Sequence, residues 1–378
     1  MLQLTARVTA AAFAVFVAHK SLAFVEIARG SLTAGLAASA AHDTNIFGNN
    51  TERPDEILTI TPDLQFTRNV GTISMFASGG VNLIRFSDHT DQNSEDPFAN
   101  LKFNYDGADK GSAQAGASYR RSSETNDAAL TRTESDDYKA DATVTYYYSE
   151  KLGVRPRADL SFSRSRTNGF NDVDRLGAGA GLLYRYSPKL TLVSGYDFRT
   201  TETRDRLAGT NKPDSSDHRF SFGVEGDLAP KLTGSASLGA TYRDFDDGDS
   251  SWLPYAGIDL TWAASEKTSV FLTVSSDFDT TSSAQSSKNL RTALGARHAL
   301  SARLSLSGSI GYEHIKYSSS GLIGGRTDKV LPLTLNLDYA VNKYLSLGAG
   351  VSWRHNSSDL VTADYDRAIY TLQVSARY

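Results

Sequence analysis

The chain has no cysteine in 378 residues, which excludes disulfide frameworks and thiol-ligated metal sites. It lacks apolar runs of about 20 residues beyond its N-terminus, which excludes a bundle of membrane-spanning helices. An excess of either charge is also lacking: the net charge is -4 and the pI near 6.0, so nucleic acid is not an expected partner. Helical periodicity fades after about residue 31, and no period of 20–50 residues marks a solenoid or propeller. What the chain does hold is 30 glycines, 18 tyrosines and 17 phenylalanines, set in a polar background of mean hydropathy -0.35.

The first 23 residues read as a secretory signal. Arg7 supplies a positive start, Val8 to Ala18 an apolar run, and Ser21-Leu22-Ala23 small residues for cleavage after Ala23. His19 and Lys20 cut the apolar run short of a span. A short amphipathic helix is the alternative. Residues 24–31 are then a short periplasmic segment, too small for a plug domain, and residues 32–378 form one domain.

That domain alternates with period two. Val154, Pro156, Ala158, Leu160 and Phe162 share a strand face, and the same pattern runs Leu190 to Phe198, Val270 to Phe278, Leu304 to Tyr312 and Leu345 to Trp353. Each aromatic falls eight residues after the first apolar residue. On a strand tilted about 40°, eight residues climb about 21 Å, close to the apolar band of an outer-membrane barrel. Short connections such as Ser187-Pro188-Lys189 and Ser301-Ala302-Arg303 alternate with long polar ones such as Ser122 to Asp136 and Thr203 to Ser216. The spacing predicts an all-β fold: a transmembrane, antiparallel, up-and-down β-barrel of about 18 strands, with short turns and both ends in the periplasm. Leu253 to Trp262 and Leu290 to Leu300 alternate less cleanly.

Two aromatic girdles follow. Tyr119, Phe162, Phe198, Tyr242, Phe278, Tyr312 and Trp353, together with Phe86, are expected at the long-loop level. Phe66, Tyr105, Tyr186, Trp262, Tyr339 and Tyr378 are expected at the short-turn level. Residues on the opposite face should line the lumen: Arg120, Arg155, Arg157, Arg175, Arg185, Arg199, Arg219, Arg291, Arg297 and Arg354, opposed by Asp141, Asp159, Asp197, Glu225 and Asp338. A guanidinium-rich wall could guide an anionic polymer, since Arg grips carboxylates bidentately. Pairing of these Arg with the acids, stiffening the wall, is the plainer outcome.

The seven histidines are scattered without ligand spacing, so neither a metal nor a cofactor is expected. His298 and His314 lie on the outward face at opposite levels, which does not suit a lipase site. The acidic run Asp244, Asp246, Asp247 and Asp249 around Gly248 reads as a solvated loop rather than a calcium site. No enzyme is expected.

Two segments carry a resemblance. Ala41-His42-Asp43-Thr44-Asn45-Ile46-Phe47 is similar to the Tyr-Asp-x-Asn-Ile-Phe signature near the start of the β-barrel porin 2 type of outer-membrane barrel, a family associated with exopolysaccharide and capsule loci; Ala41-His42 replaces the aromatic. Tyr370 to Tyr378 resembles the C-terminal strand read by the barrel-assembly machinery, with Tyr in place of Phe. The resemblance implies a bacterial outer-membrane location and contact with outer-membrane lipid and that machinery. It also implies a passive polar channel exporting exopolysaccharide or capsular polysaccharide with envelope export components. A diffusion porin for small polar solutes and a plugged structural or adhesive barrel are the alternatives. An inward-folded constricting loop would favour the porin.

Overall fold

The computed structural model describes residues 25–27, 29–204, 214–319 and 324–378. The expected signal segment, residues 1–23, lies outside them. In chain order the strands are β1 (Val25–Ile27), β2 (Gly30–Asp43), β3 (Asp55–Val70), β4 (Ile73–Phe86), β5 (Ser94–Asp106), β6 (Gly111–Asn126), β7 (Thr131–Tyr147), β8 (Leu152–Ser165), β9 (Asp172–Ser187), β10 (Leu190–Arg204), β11 (Ser215–Ala229), β12 (Leu232–Phe245), β13 (Ser250–Trp262), β14 (Thr268–Thr280), β15 (Ser286–Ala299), β16 (Leu304–Tyr317), β17 (Arg326–Ala340), β18 (Leu345–Ser358) and β19 (Tyr365–Arg377). Each of β2 to β19 pairs antiparallel with its neighbours in sequence, and β19 pairs with β2, so eighteen strands close into a barrel. The short β1 adds to the start of β2. Closure is completed by Tyr378, which exchanges both backbone hydrogen bonds with Ala34 (2.9 and 3.0 Å).

Register partners traced once round the ring return to β2 displaced by about 22 residues. With about 3.3 Å per residue and about 4.8 Å between strands, eighteen strands then tilt about 40° around a circle of about 18 Å radius. The strands alternate because apolar and polar residues do. Leu64, Leu182, Phe220, Leu238, Leu294 and Leu372 stand exposed on the outer face, and together they make an apolar belt far wider than a water-facing surface carries. Ser, Thr, Asn, Arg and Asp take the inner face.

Two departures from a regular cylinder position the site. The stretch Ser122 to Asp136 is strand almost to its tip, leaving only residues 127–130 as the turn of a β6–β7 hairpin. Its polar-on-polar alternation suits a hairpin with polar surroundings on both faces. The second departure is the seam between β13 and β14. These pair only from Gly257–Ser275 to Trp262–Val270, whereas β12–β13 and β14–β15 are paired along nearly their whole lengths. The outer half of β14 therefore parts from β13 and leans inward, while β15 stays paired with β16 along its length.

Candidate functional site

The inner face has two characters. From β15 round to β6 it is mainly hydroxyl and amide: Ser307 and Ser309 on β16, Asn336 on β17, Gln373 on β19, Thr61 on β3 and Asn100 on β5 are examples. Ser309 and Thr334 share a hydrogen bond of 2.8 Å, and Thr61 donates to Asn82 at 2.8 Å. From β7 to β12 the face is charged, and most of its Arg are ion-paired; Lys139, Asp141, Asp159 and Arg185 have no ion-pair partner among the described residues.

Arg155 on β8 reaches Glu225 on β11 through two hydrogen bonds of 2.6 and 2.7 Å. Arg157 binds both carboxylate oxygens of Asp197. The two residues between their strands explain how: Gly177 and Gly179 on β9 carry no Cβ, and one built there would collide with the Asp159 and Asp197 carboxylates. The glycines make a trench in which the side chains lie flat against the wall. A cavity of about 350 Å³ stands over it, bordered by Arg157, Asp197, Arg199, Arg219, Glu225 and Tyr255.

Higher up, Asp277 and Asp279 come in on the leaning β14. Arg199 binds Asp277 at 3.0 Å and Asp217 at 2.7 Å, Arg219 binds Asp277 at 2.6 Å, and Arg175 binds Asp279 at 2.5 Å. On a circular wall β9 and β14 would stand roughly 28 Å apart, beyond the reach of one Arg and one Asp. The ion pairs therefore register the inward lean of β14. Arg243, 1% exposed, sits beneath it on Asp217 at 2.6 Å.

The long-loop end is packed, and every buried polar residue among those described lies there. Across it runs the β6–β7 tip, which arrives from nearly the opposite wall. Asp127 accepts from Arg354 on β18 (2.7 Å) and from the Tyr365 hydroxyl on β19 (3.0 Å). Arg326 on β17 donates to the Asp127 and Ala128 carbonyls, and Ala128 packs on Ile315, Tyr317 and Val330. Asn126 reaches Ser282 on the β14–β15 loop at 3.4 Å. Between the two hairpins lies a cavity of about 480 Å³, bordered by Thr125, Asn126, Thr281, Ser287, Asn289 and Glu313.

The Asp43-Thr44-Asn45-Ile46-Phe47 segment locks this tip. Asp43 is fully buried and held by Arg367 at 2.6 Å; its carboxylate accepts the Asn45 amide at 2.9 Å. Asn45 fastens the loop through Gly48, Asn49 and Asp366. The Ile46 carbonyl accepts the Thr125 hydroxyl at 2.8 Å, and Asn49 donates to Leu130 at 3.1 Å. Gly48 has φ +61, and a Cβ there would stand 2.7 Å from Thr125 Cγ2, so the position takes glycine for both backbone and space. Beside it, Asp55 is wholly covered. Burial pushes its carboxyl up, but the backbone amides of Asp88, His89 and Glu56 and the His89 ring outweigh that and hold it below the usual value. Burial pushes Tyr317 up to about 12 and the Asp328 carboxyl above its usual range.

Each Arg expected in the lumen falls on the inward parity of its strand. Arg155, Arg157, Arg175, Arg199, Arg219 and Arg354 are ion-paired, and Arg120 pairs with Glu124. Arg185 lies 3.5 Å over the Tyr147 ring. Arg291 and Arg297 have no carboxylate in ion-pair range among the described residues. Of the expected girdles, Phe66, Tyr105, Tyr186, Trp262, Tyr339 and Tyr378 stand on the outer face toward the short turns. Tyr119, Phe162, Phe198, Tyr242, Tyr312 and Trp353 stand on it toward the long loops, several stacked with neighbours such as Tyr119–Tyr138 and Tyr242–Trp252. Phe278 is a correction: it is 3% exposed, because its part of β14 has left the wall, and Arg243 covers its ring at 4.6 Å. Phe86 is another. Its partner Ile57 shares the inner parity, and the ring lies buried under Arg132. The sequence reading missed Asp127, Asp277 and Asp279, whose partners are far away in sequence.

A closed antiparallel barrel with an apolar belt and a polar lumen defines an outer-membrane β-barrel of porin-like fold. Residues 31–378 match the family described as "Putative beta-barrel porin 2", and the chain belongs to that family. No curated protein matches it. Similar solved structures include OccK3 (OpdO) of Pseudomonas aeruginosa, at 14% identity over 92% of this chain and 95% of that one, TM-score 0.48. The siderophore receptor PirA of Pseudomonas aeruginosa is similar at 11% identity over 92% and 80%, TM-score 0.46. The FrpB iron transporter of Neisseria meningitidis is similar at 11% over 86% and 62%, TM-score 0.44, so this chain spans less than two thirds of it.

Proposed function

We propose that the protein is a passive outer-membrane channel for small, uncharged polar solutes, narrowed at its long-loop end, and not a catalyst. The observation that carries this is the β6–β7 tip docked across the mouth through Asp127, Arg354 and Tyr365. A neutral hydroxylated solute such as a hexose finds a long hydroxyl and amide wall, where exchanging hydrogen bonds with water for hydrogen bonds with protein changes little in free energy. The charged wall offers little net field, because its Arg and acids neutralise one another. Polysaccharide export loses support because a polymer needs a continuous bore; most of the guanidinium groups that an anionic one would need are paired, Arg185, Arg291 and Arg297 apart. The C-terminal strand Tyr370–Tyr378 would serve as the signal for assembly, with short turns in the periplasm. Liposome swelling tests the reading. Vesicles carrying the barrel should swell in isotonic hexose and resist swelling in a neutral oligosaccharide of six or so units. Equal rates for both would sink it.

A further inference from the structure

The unzipped outer half of the β13–β14 seam is finished as an edge. Pro254 lies in the stretch of β13 that has lost β14. The carbonyls of Trp252 and Pro254 turn toward the gap, where Lys288 Nζ (3.3 Å) and the Ser276 hydroxyl meet them. Residue 254 therefore turns its backbone nitrogen to the gap as well, and proline has no N–H to leave unpaired there. An edge capped by side chains and a proline does not depend on strand pairing to stay closed.

What fills the gap is a ring. Phe278 is buried between Arg243 at 4.6 Å and Lys288 at 5.7 Å. Outside it stand Trp252 and Leu290, both exposed on the apolar belt. Inside, Tyr255 under Arg219 (4.4 Å) borders the cavity of about 350 Å³. Lys288 donates to a carbonyl and stands over the ring, with Lys316 as its cross-strand neighbour on β16; among the described residues no carboxylate lies in ion-pair range of it. An unneutralised ammonium at the entrance of an aromatic slot, at the level of the outer girdle, matches a carboxylate head with a single apolar tail.

We propose that the β13–β14 seam is a lateral portal that admits an anionic single-chain amphiphile from the outer leaflet, with Lys288 meeting the head and Phe278 yielding to the chain. This goes beyond the aqueous path through the bore and does not depend on it.

The three tryptophans make a direct test. Trp252 sits at the seam, and Trp353 lies at the long-loop level on β18, five strands further round the wall. Two single-tryptophan barrels, keeping Trp252 or Trp353 with the others changed to Phe, are placed in phosphatidylcholine vesicles and titrated with stearate bearing a nitroxide near its head. The expected result is saturable quenching of Trp252 several-fold steeper than that of Trp353 at low probe. The methyl ester of the probe should lose the excess, and so should Lys288→Gln. Pro254→Val, which restores an N–H able to rezip the seam, should reduce it. Superimposable curves for Trp252 and Trp353, or an excess that the ester and Lys288→Gln both retain, would overturn the proposal. The tryptophan comparison needs only Trp→Phe changes, so it stands whether or not the seam variants fold.

Discussion

Arg354 Nη2 on β18 lies 2.7 Å from Asp127 Oδ2 at the tip of the β6–β7 hairpin, across the mouth of the barrel. The two are far apart in sequence and rise from nearly opposite walls. Their contact is where the barrel stops being an open cylinder.

Removing that contact should open the mouth without unfolding the wall. The Arg354 and Asp127 side chains are 25% and 35% exposed, so losing one partner costs less than in a fully buried pair, about 1–3 kcal/mol locally. Arg354→Ala should raise single-channel conductance about two-fold or more, while heat-modified mobility on gels still reports a closed barrel.

Gly48 gives a second route to the same opening. At φ +61, with Thr125 in the way, an alanine should cost about 1–3 kcal/mol of local stability. Gly48→Ala should increase proteolytic nicking within residues 127–130. Unchanged protection would mean that the Asn45 loop does not hold the tip.

The barrel itself was legible in the sequence because period-two alternation is local: each strand announces its outward face, and each Pro-Lys or Ala-Arg turn its end. The tilt of about 40° assumed in converting the eight-residue spacing to a height is the tilt that the register requires. What was not legible was the mouth. Nothing near Asp127 hints at Arg354 or Tyr365, and the polar stretch around it reads as loop although nearly all of it is strand. Phe278 fits a girdle by spacing alone; only the loss of pairing beyond Ser275 opens the gap in which its ring is buried. The Asn45-Ile46 signature was visible as a motif, but its purpose, clasping Thr125, needed the tertiary structure.

The paired charged wall predicts weak ion selectivity. Reversal potentials across a salt gradient should lie near zero for the native barrel. Glu225→Gln, by freeing Arg155, should shift them toward anion preference. A native barrel already strongly anion-selective would mean that the pairs open in the working channel.

The Asp55–His89 contact (2.8 Å) sets a pH dependence. The folded-state pKa of Asp55 lies below the ordinary 3.8, so the clasp favours the carboxylate. Its contribution is whole above about pH 4 and disappears as pH falls through the lower folded value. The β4–β5 loop should stay closed at pH 5, with quiet channel recordings, and become noisy only below about pH 4. Asp55→Asn should be noisy at both.

The proposed channel rests on one asymmetry: a lumen open toward the short turns and narrowed at the long loops. Polymer exclusion measures it directly. Polyethylene glycols of graded size are added to one side of a bilayer holding a single oriented barrel, and the largest that still lowers conductance is recorded for each side. The cutoff should be clearly larger from the short-turn side, with the difference collapsing in Arg354→Ala. Equal cutoffs from both sides of the native barrel would contradict that asymmetry.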